Sequence, residues 1–125
     1  MTGWTEEELG SIGEARELQL ASFRRDGKLR PYVTVWVVQA GDGLYVRSAY
    51  GPNNPWFRRA KASGAGRIRA GGLERDVSFA EPVPGVHGGI DAAYHAKYDQ
   101  YGAQIVGTVI GRKAEAVTIR LMPRS

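Results

Sequence analysis

Residues 29–63 read LRPYVTVWVVQAGDGLYVRSAYGPNNPWFRRAKAS. The run divides into strand, tight turn, strand, sharp loop and helix. Val33, Val35 and Val37 alternate with Thr34, Trp36 and Val38, so both faces of the first strand carry apolar groups. Such a strand is expected in the middle of a sheet, buried on two sides. Gly41-Asp42-Gly43 offers the left-handed backbone that a short hairpin needs. Leu44 to Tyr50 is the returning strand, stopped by Tyr50-Gly51-Pro52. Asn54 then stands where a helix N-cap belongs, and Pro55 occupies the favoured first helical position. Trp56, Phe57, Arg58, Arg59 and Lys61 follow at once. Cations beside a newly opened helix N-terminus, with its unpaired N–H groups, suit an anionic ligand.

Upstream, Thr5-Glu6-Glu7-Glu8 reads as a capping box that opens a short helix ending near Gly13. Glu17 to Arg24 alternates as a strand, and Arg25-Asp26-Gly27-Lys28 turns it into the quoted run. Downstream, Gly64-Ala65-Gly66 ends the helix. Arg67 to Ala70 and Leu73 to Phe79 form two strands joined by Gly71-Gly72. Pro82, Pro84, Gly85, Gly88 and Gly89 mark a loop. Ile90, Tyr94, Tyr98 and Tyr101 recur at helical spacing and lay an aromatic stripe along one helix face. Residues 102–113 fit either a short helix or an irregular strand. Val117, Ile119 and Leu121 make a last strand. The total is six short strands, mostly antiparallel, with two or three short helices. That pattern predicts a mainly β (α+β) domain built as a small closed barrel, with residues 1–125 as a single unit.

A chain of 125 residues buries roughly two thirds of its unfolded surface and needs no staple. Cysteine is absent, which excludes disulfides and thiolate chemistry. The first residues lack the basic and apolar regions of a secretory signal, and no apolar run approaches the ~20 residues of a membrane helix. A soluble cytoplasmic protein with no membrane partner is the expectation. The net charge of +4 is uneven. Residues 58–69 hold Arg58, Arg59, Lys61, Arg67 and Arg69 without an acid, whereas residues 6–17 are acidic. An anionic partner for the basic half follows from that asymmetry.

Much chemistry is excluded. His87 and His95 have no companion ligands, so no metal site is expected. There is no nucleophile elbow, no phosphate-binding glycine loop and no dinucleotide fingerprint. Arg30 and Arg47 remain, at the ends of paired strands; their guanidinium forks suit a phosphate. The register that relates them is not readable. Thr34 and Ser48 add hydroxyls. Trp36, Tyr50, Trp56, Tyr94 and Tyr98 offer ring faces for a flat heterocycle. Arginine, hydroxyl, Gly-Pro turn and helix N-terminus close together point to a phosphorylated aromatic cofactor.

The runs RDGKLRPYVTVWVV and DGLYVRSAYGPNNPWFRRAKASGAGRIRAGG carry a resemblance. From about Glu17 to Arg124 the chain resembles the FMN-binding split-barrel superfamily (pyridoxamine 5'-phosphate oxidase-like). Within it, the chain is similar to an uncharacterised domain family with the patterns R-x-G-x-x-R-P-x-V-T-x-W-V-V and Y-V-R-S-x-x-G-P-x-x-x-W-F-R. It is more distantly similar to the deazaflavin-dependent nitroreductases. The resemblance implies a six-stranded antiparallel split barrel that holds FMN or a deazaflavin coenzyme. The positions matching the cofactor site are Arg30, Thr34, Arg47, Ser48, Trp56, Arg58, Arg59 and Lys61, with Trp36 as a further ring face. The implied activity is that of an oxidoreductase reducing a small organic acceptor, with Tyr50 and Tyr98 as available proton donors. No extended C-terminal segment like that of the flavin oxidases is present, which argues against a pyridoxal-type substrate. Split barrels commonly pair, and the two-faced Val33–Val38 strand leaves apolar surface, so a homodimer is expected. Two rivals stand: a non-enzymatic small-ligand-binding barrel, and a basic barrel holding nucleic acid through Arg58, Arg59, Lys61, Arg67 and Arg69. Aromatics are not interleaved with those cations, which argues against the latter.

Overall fold

Val33–Val35 and Val38–Ala40 are two strands, not one, and they lie at opposite edges of the sheet. The computed structural model describes residues 3–49 and 51–124. Among these, seven strands form one antiparallel sheet in the order β2-β1-β5-β6-β7-β4-β3. They are β1 (Leu18–Ser22), β2 (Val33–Val35), β3 (Val38–Ala40), β4 (Gly43–Arg47), β5 (Ala65–Ala70), β6 (Leu73–Ala80) and β7 (Thr118–Pro123). The helices are α1 (Glu6–Gly13), α2 (Pro55–Ser63), α3 (His87–Tyr98), and the single turns α4 (Ala103–Val106) and α5 (Arg112–Glu115).

Only Trp36 and Val37 separate the two edge strands in the chain. Laid flat, seven strands at ~4.8 Å spacing would set those edges roughly 29 Å apart. The chain between them reaches about 10 Å. The sheet therefore rolls into a half-barrel. No β2–β3 ladder closes it among the described residues.

This corrects the expectation of a closed six-stranded barrel with a central, two-sided Val33–Val38 strand: seven strands curl into a half-barrel whose edge strands are β2 and β3. The apolar groups on its two faces serve different cores. Val33, Val35 and Val37 belong to the cluster inside the half-barrel, with Leu18, Leu20, Leu44, Val46, Ile68, Ile119 and Leu121. Trp36 and Val38 belong to a second cluster, with Tyr45, Ile90, Tyr94, Tyr98, Val106 and Val109. The strand buried on both faces is β4 instead: Leu44 and Val46 enter the first cluster and Tyr45 the second. Val37 and Val38 are buried within the chain, so they supply no surface for a second copy.

Local expectations mostly hold. The Thr5 hydroxyl accepts from the Glu8 N–H at 3.1 Å while Glu8 Oε1 accepts from the Thr5 N–H at 3.0 Å. That capping box starts α1, which lays Leu9 and Ile12 on the barrel core. Gly71 and Gly72, both at positive φ, make the β5–β6 hairpin. The stripe on α3 buries Ile90, Tyr94 and Tyr98, while Tyr101 lies beyond the helix and is exposed. Residues 102–113 resolve into α4 and α5, entered through Gly102 and Gly111 at positive φ. Single turns have no period to read. None of the helices described is long and apolar enough to cross a membrane.

One side chain ties the helical layer to the sheet. Arg47 ends β4 with its side chain wholly buried. Its Nε donates to Thr118 Oγ1 at 2.8 Å. Nη1 donates to the Val109 carbonyl at 2.9 Å and to Asp91 Oδ1 on α3. Nη2 lies 3.2 Å from His87 Nδ1. Asp91 Oδ2 in turn accepts from the Gly111 N–H at 3.3 Å. A buried guanidinium needs this matching charge and these acceptors.

Lys97, half-buried on α3, supplies a second tie, donating to the carbonyls of Gly13 at 2.7 Å and Val37 at 2.5 Å. Burial lowers its pKa to about 8, against the opposing pull of Glu14.

Two measurements follow from these ties. Asp91→Ala leaves the buried Arg47 charge unmatched and should cost about 3 kcal/mol, lowering Tm by roughly 10 °C; a change under about 2 °C would show that Arg47 needs no counter-charge. For Lys97 the unfolded chain holds the proton up to a higher pH than the folded one. Stability should therefore rise with pH between about 8 and 10.5 relative to Lys97→Met. Urea titrations across that range give the difference; a flat one would mean that the folded amine keeps its proton.

Candidate functional site

The loop from β4 to α2 is set by three polar groups. The buried Ser48 hydroxyl donates to the Gly51 carbonyl at 2.6 Å and accepts from Asn54 Nδ2 at 3.1 Å. Asn54 Nδ2 also donates to the Ala49 carbonyl at 2.6 Å. Asn54 does stand at the N-cap, but its side chain is spent on this loop and caps no helical N–H. Gly51, at φ 98°, takes the backbone through a turn that a side chain would resist. Pro55 then begins α2 as expected.

Two recesses flank the first turn of that helix. The first is a cleft of about 330 Å³ lined by Thr34, Val35, Trp36, Arg47, Ala49, Asn54, Trp56, Ile105, Thr108 and Val109, with Glu17 at its rim. Trp36 stacks on Tyr98 with ring centres 4.0 Å apart and planes within 6°, so α3 holds its orientation. Trp56 stands edge-on to the buried Phe57. The second recess, of about 650 Å³, is lined by Arg24, Arg25, Arg30, Arg58 and Arg59 with Phe23 and Pro55. Of these five arginines, only Arg24 has an acidic partner among the described residues, Asp26 at 3.1 Å. Asn54 and Trp56 thus face the cleft, while Pro55, Arg58 and Arg59 face the groove.

The residues singled out from the sequence therefore divide. Thr34, Trp36, Arg47 and Trp56 come together in the cleft. Arg30, Arg58 and Arg59 come together in the groove. Ser48 and Lys61 line neither; Ser48 fixes the loop and Lys61 pairs with Glu81. Arg47 has five N–H donors, and four are directed at protein acceptors. It brings a wall and at most one further hydrogen bond to a ligand. Arg67 and Arg69 pair with Asp76 and Glu74 across the β5–β6 ladder, each at 2.6 Å. They contribute nothing to the groove.

Neither Tyr98 nor Tyr94 is a ready proton donor. The Tyr98 hydroxyl donates to the Arg16 carbonyl at 2.7 Å and accepts from the Val37 N–H at 3.3 Å. Burial pushes its pKa up to about 12. Tyr94 is wholly buried and raised further for the same reason. Tyr50 lies outside the described residues.

Arg24, Arg25 and Glu17 were not singled out from the sequence. Arg24 and Arg25 precede an Asp-Gly turn, and the signal for them is the hairpin itself. It pairs Phe23 with Leu29 and carries Arg30 beside the turn arginines. Glu17 precedes β1, where Leu18 pairs with Val35, which brings it beside Trp36.

Among curated proteins, none matches this chain. Solved structures share its fold, among them the following two. The first is the crystal structure of the protein Atu2129, of unknown function, from Agrobacterium tumefaciens str. C58. It matches with a TM-score of 0.61 at 10% identity, over 95% of this chain and 53% of that one. The chain thus spans about half the length of Atu2129. The second is an F420 reductase, with a TM-score of 0.55 at 17% identity, over 97% of this chain and 94% of that one. Residues 8–121 match the family described as "Uncharacterized protein conserved in bacteria". With nearly its whole length matched, the chain belongs to that family, DUF2255.

Proposed function

We propose that this protein binds a flat, phosphate-bearing redox cofactor, a deazaflavin coenzyme or FMN, and uses it to reduce a small organic acceptor. The observation that carries the reading is the adjacency of the two recesses across one helical turn. The cleft has the size of a small-molecule site and presents two indole rings. The groove presents convergent guanidinium groups that would receive an anionic group at the other end of the same molecule. The likeness to an F420 reductase, which concerns the fold, adds weight to the deazaflavin.

When bound, the cofactor supplies the hydride chemistry. The chain's residues bind and orient it. Trp36, held against Tyr98, gives a fixed ring face. Thr34 is exposed at the mouth and offers a hydroxyl. Val35, Ala49, Ile105 and Val109 exclude water along the walls. Arg30, Arg58 and Arg59 hold the anionic end. Ser48 acts by shaping the loop that carries Asn54 and Trp56. Lys61, paired with Glu81, sits outside both recesses.

Titration of the purified protein with FMN and with F420 tests the reading. At a hundredfold excess over Kd, the productive cofactor should quench tryptophan emission and raise Tm by roughly 10 °C. Replacing Arg58 and Arg59 together by alanine should weaken uptake about tenfold or more and flatten its salt dependence. If both cofactors leave emission and Tm unchanged, the reading fails. Uptake without reduction of quinones or nitroaromatics in the presence of reductant would instead favour a ligand-carrying barrel.

A further inference from the structure

The two recesses differ in charge. In the groove, four arginines have no acidic partner among the described residues. The cleft has two charged side chains on its lining, Arg47 and Glu17. Arg47 is neutralised by Asp91 and carries no solvent exposure. Glu17 is exposed and makes no ion pair among the described residues. Among the described residues that line the cleft, the one charge without a partner is therefore the Glu17 carboxylate, beside Trp36.

We infer that Glu17 sets the charge class of the molecule that enters the cleft beside Trp36: a flat acceptor that is neutral or cationic, with anionic aromatics disfavoured. This rests on the cleft being the ligand site of the proposed reductase. An anion drawn to the protein meets its favourable field in the groove and an opposing one at the Glu17 rim. A cation meets the reverse. A carboxylate on an exposed rim shifts affinity for one unit charge by about fivefold. That is enough to rank acceptors by charge, while the apolar walls act on all of them alike. The rim thus selects the acceptor, and the arginines are left to the anionic end of the cofactor.

The test uses the intact, cofactor-free protein, so it reads the cleft without relying on cofactor uptake. Methylene blue serves as the cationic probe, menadione as the neutral one and anthraquinone-2-sulfonate as the anionic one. Trp36 and Trp56 emission reports binding. Glu17→Gln should weaken methylene blue about fivefold and leave menadione within twofold. Glu17→Lys should reverse the cation-to-anion preference. Replacing Arg58 and Arg59 by alanine should weaken the sulfonate if it seats in the groove, which separates the two recesses. Glu17 is exposed, so both of its variants should melt with the wild type. If the cation-to-anion affinity ratio in Glu17→Lys stays within twofold of wild type, or no probe quenches the tryptophans, the inference is wrong. A charge-selective response alongside failure to take up FMN or F420 would sink the reductase reading alone.

Discussion

A guanidinium with no access to water dictates much of this molecule. Five N–H donors and a full charge must be answered inside the protein, because an unmatched buried cation costs several kcal/mol. The acceptors around Arg47 come from different segments: Thr118 from β7, His87 and Asp91 from α3, Val109 from the link between α4 and α5. Satisfying one side chain on β4 therefore obliges three distant stretches to converge there. Two of them build the cleft. The link brings Thr108 and Val109 to its wall. Helix α3 brings Tyr98, which fixes the plane of Trp36. The arginine acts on the cleft by holding its walls in place.

The second constraint is topological. Two residues join strands that stand at opposite edges of the sheet, so the sheet must curl. Curling gives the sheet an inside, filled by the larger aliphatic cluster, and an outside at β3 and β4, which α3 covers with its tyrosines. Trp36 sits where the chain crosses from one edge to the other. That position explains how a large ring is both packed on Tyr98 and open to a recess.

Periodicity reports which way side chains alternate, and it reports nothing about what covers each face. The Val33–Val38 run shows this: its two apolar faces are real, but they belong to two cores, and a residue pattern is the same for a central strand and for a crossing edge. The α3 stripe was legible because Ile90, Tyr94 and Tyr98 meet one cluster along a continuous helix. α4 and α5 were not, because a single turn never repeats. Asn54 satisfied the statistics of an N-cap, yet its amide found better partners in Ser48 and Ala49. An arginine at a strand end reads alike whether buried or free. Nothing beside Arg47 announces Asp91, 44 residues on. The helix start, the Gly-Pro turn and the cluster of Arg58 and Arg59 were legible because they are local.

The fate of the basic run bears on which kind of partner the proposed reading favours. A polynucleotide asks for cations spaced along one continuous surface, with ring faces between them. Here Lys61, Arg67 and Arg69 are each held by an acid and line no part of the groove. What remains concentrated is a short group: Arg25 and Arg30 from the first hairpin, Arg58 and Arg59 from α2. They converge on one recess, with two indoles a helical turn away. A single molecule with its negative charge at one end and a flat ring at the other matches that distribution. A polymer of repeating charges would leave most of it unused.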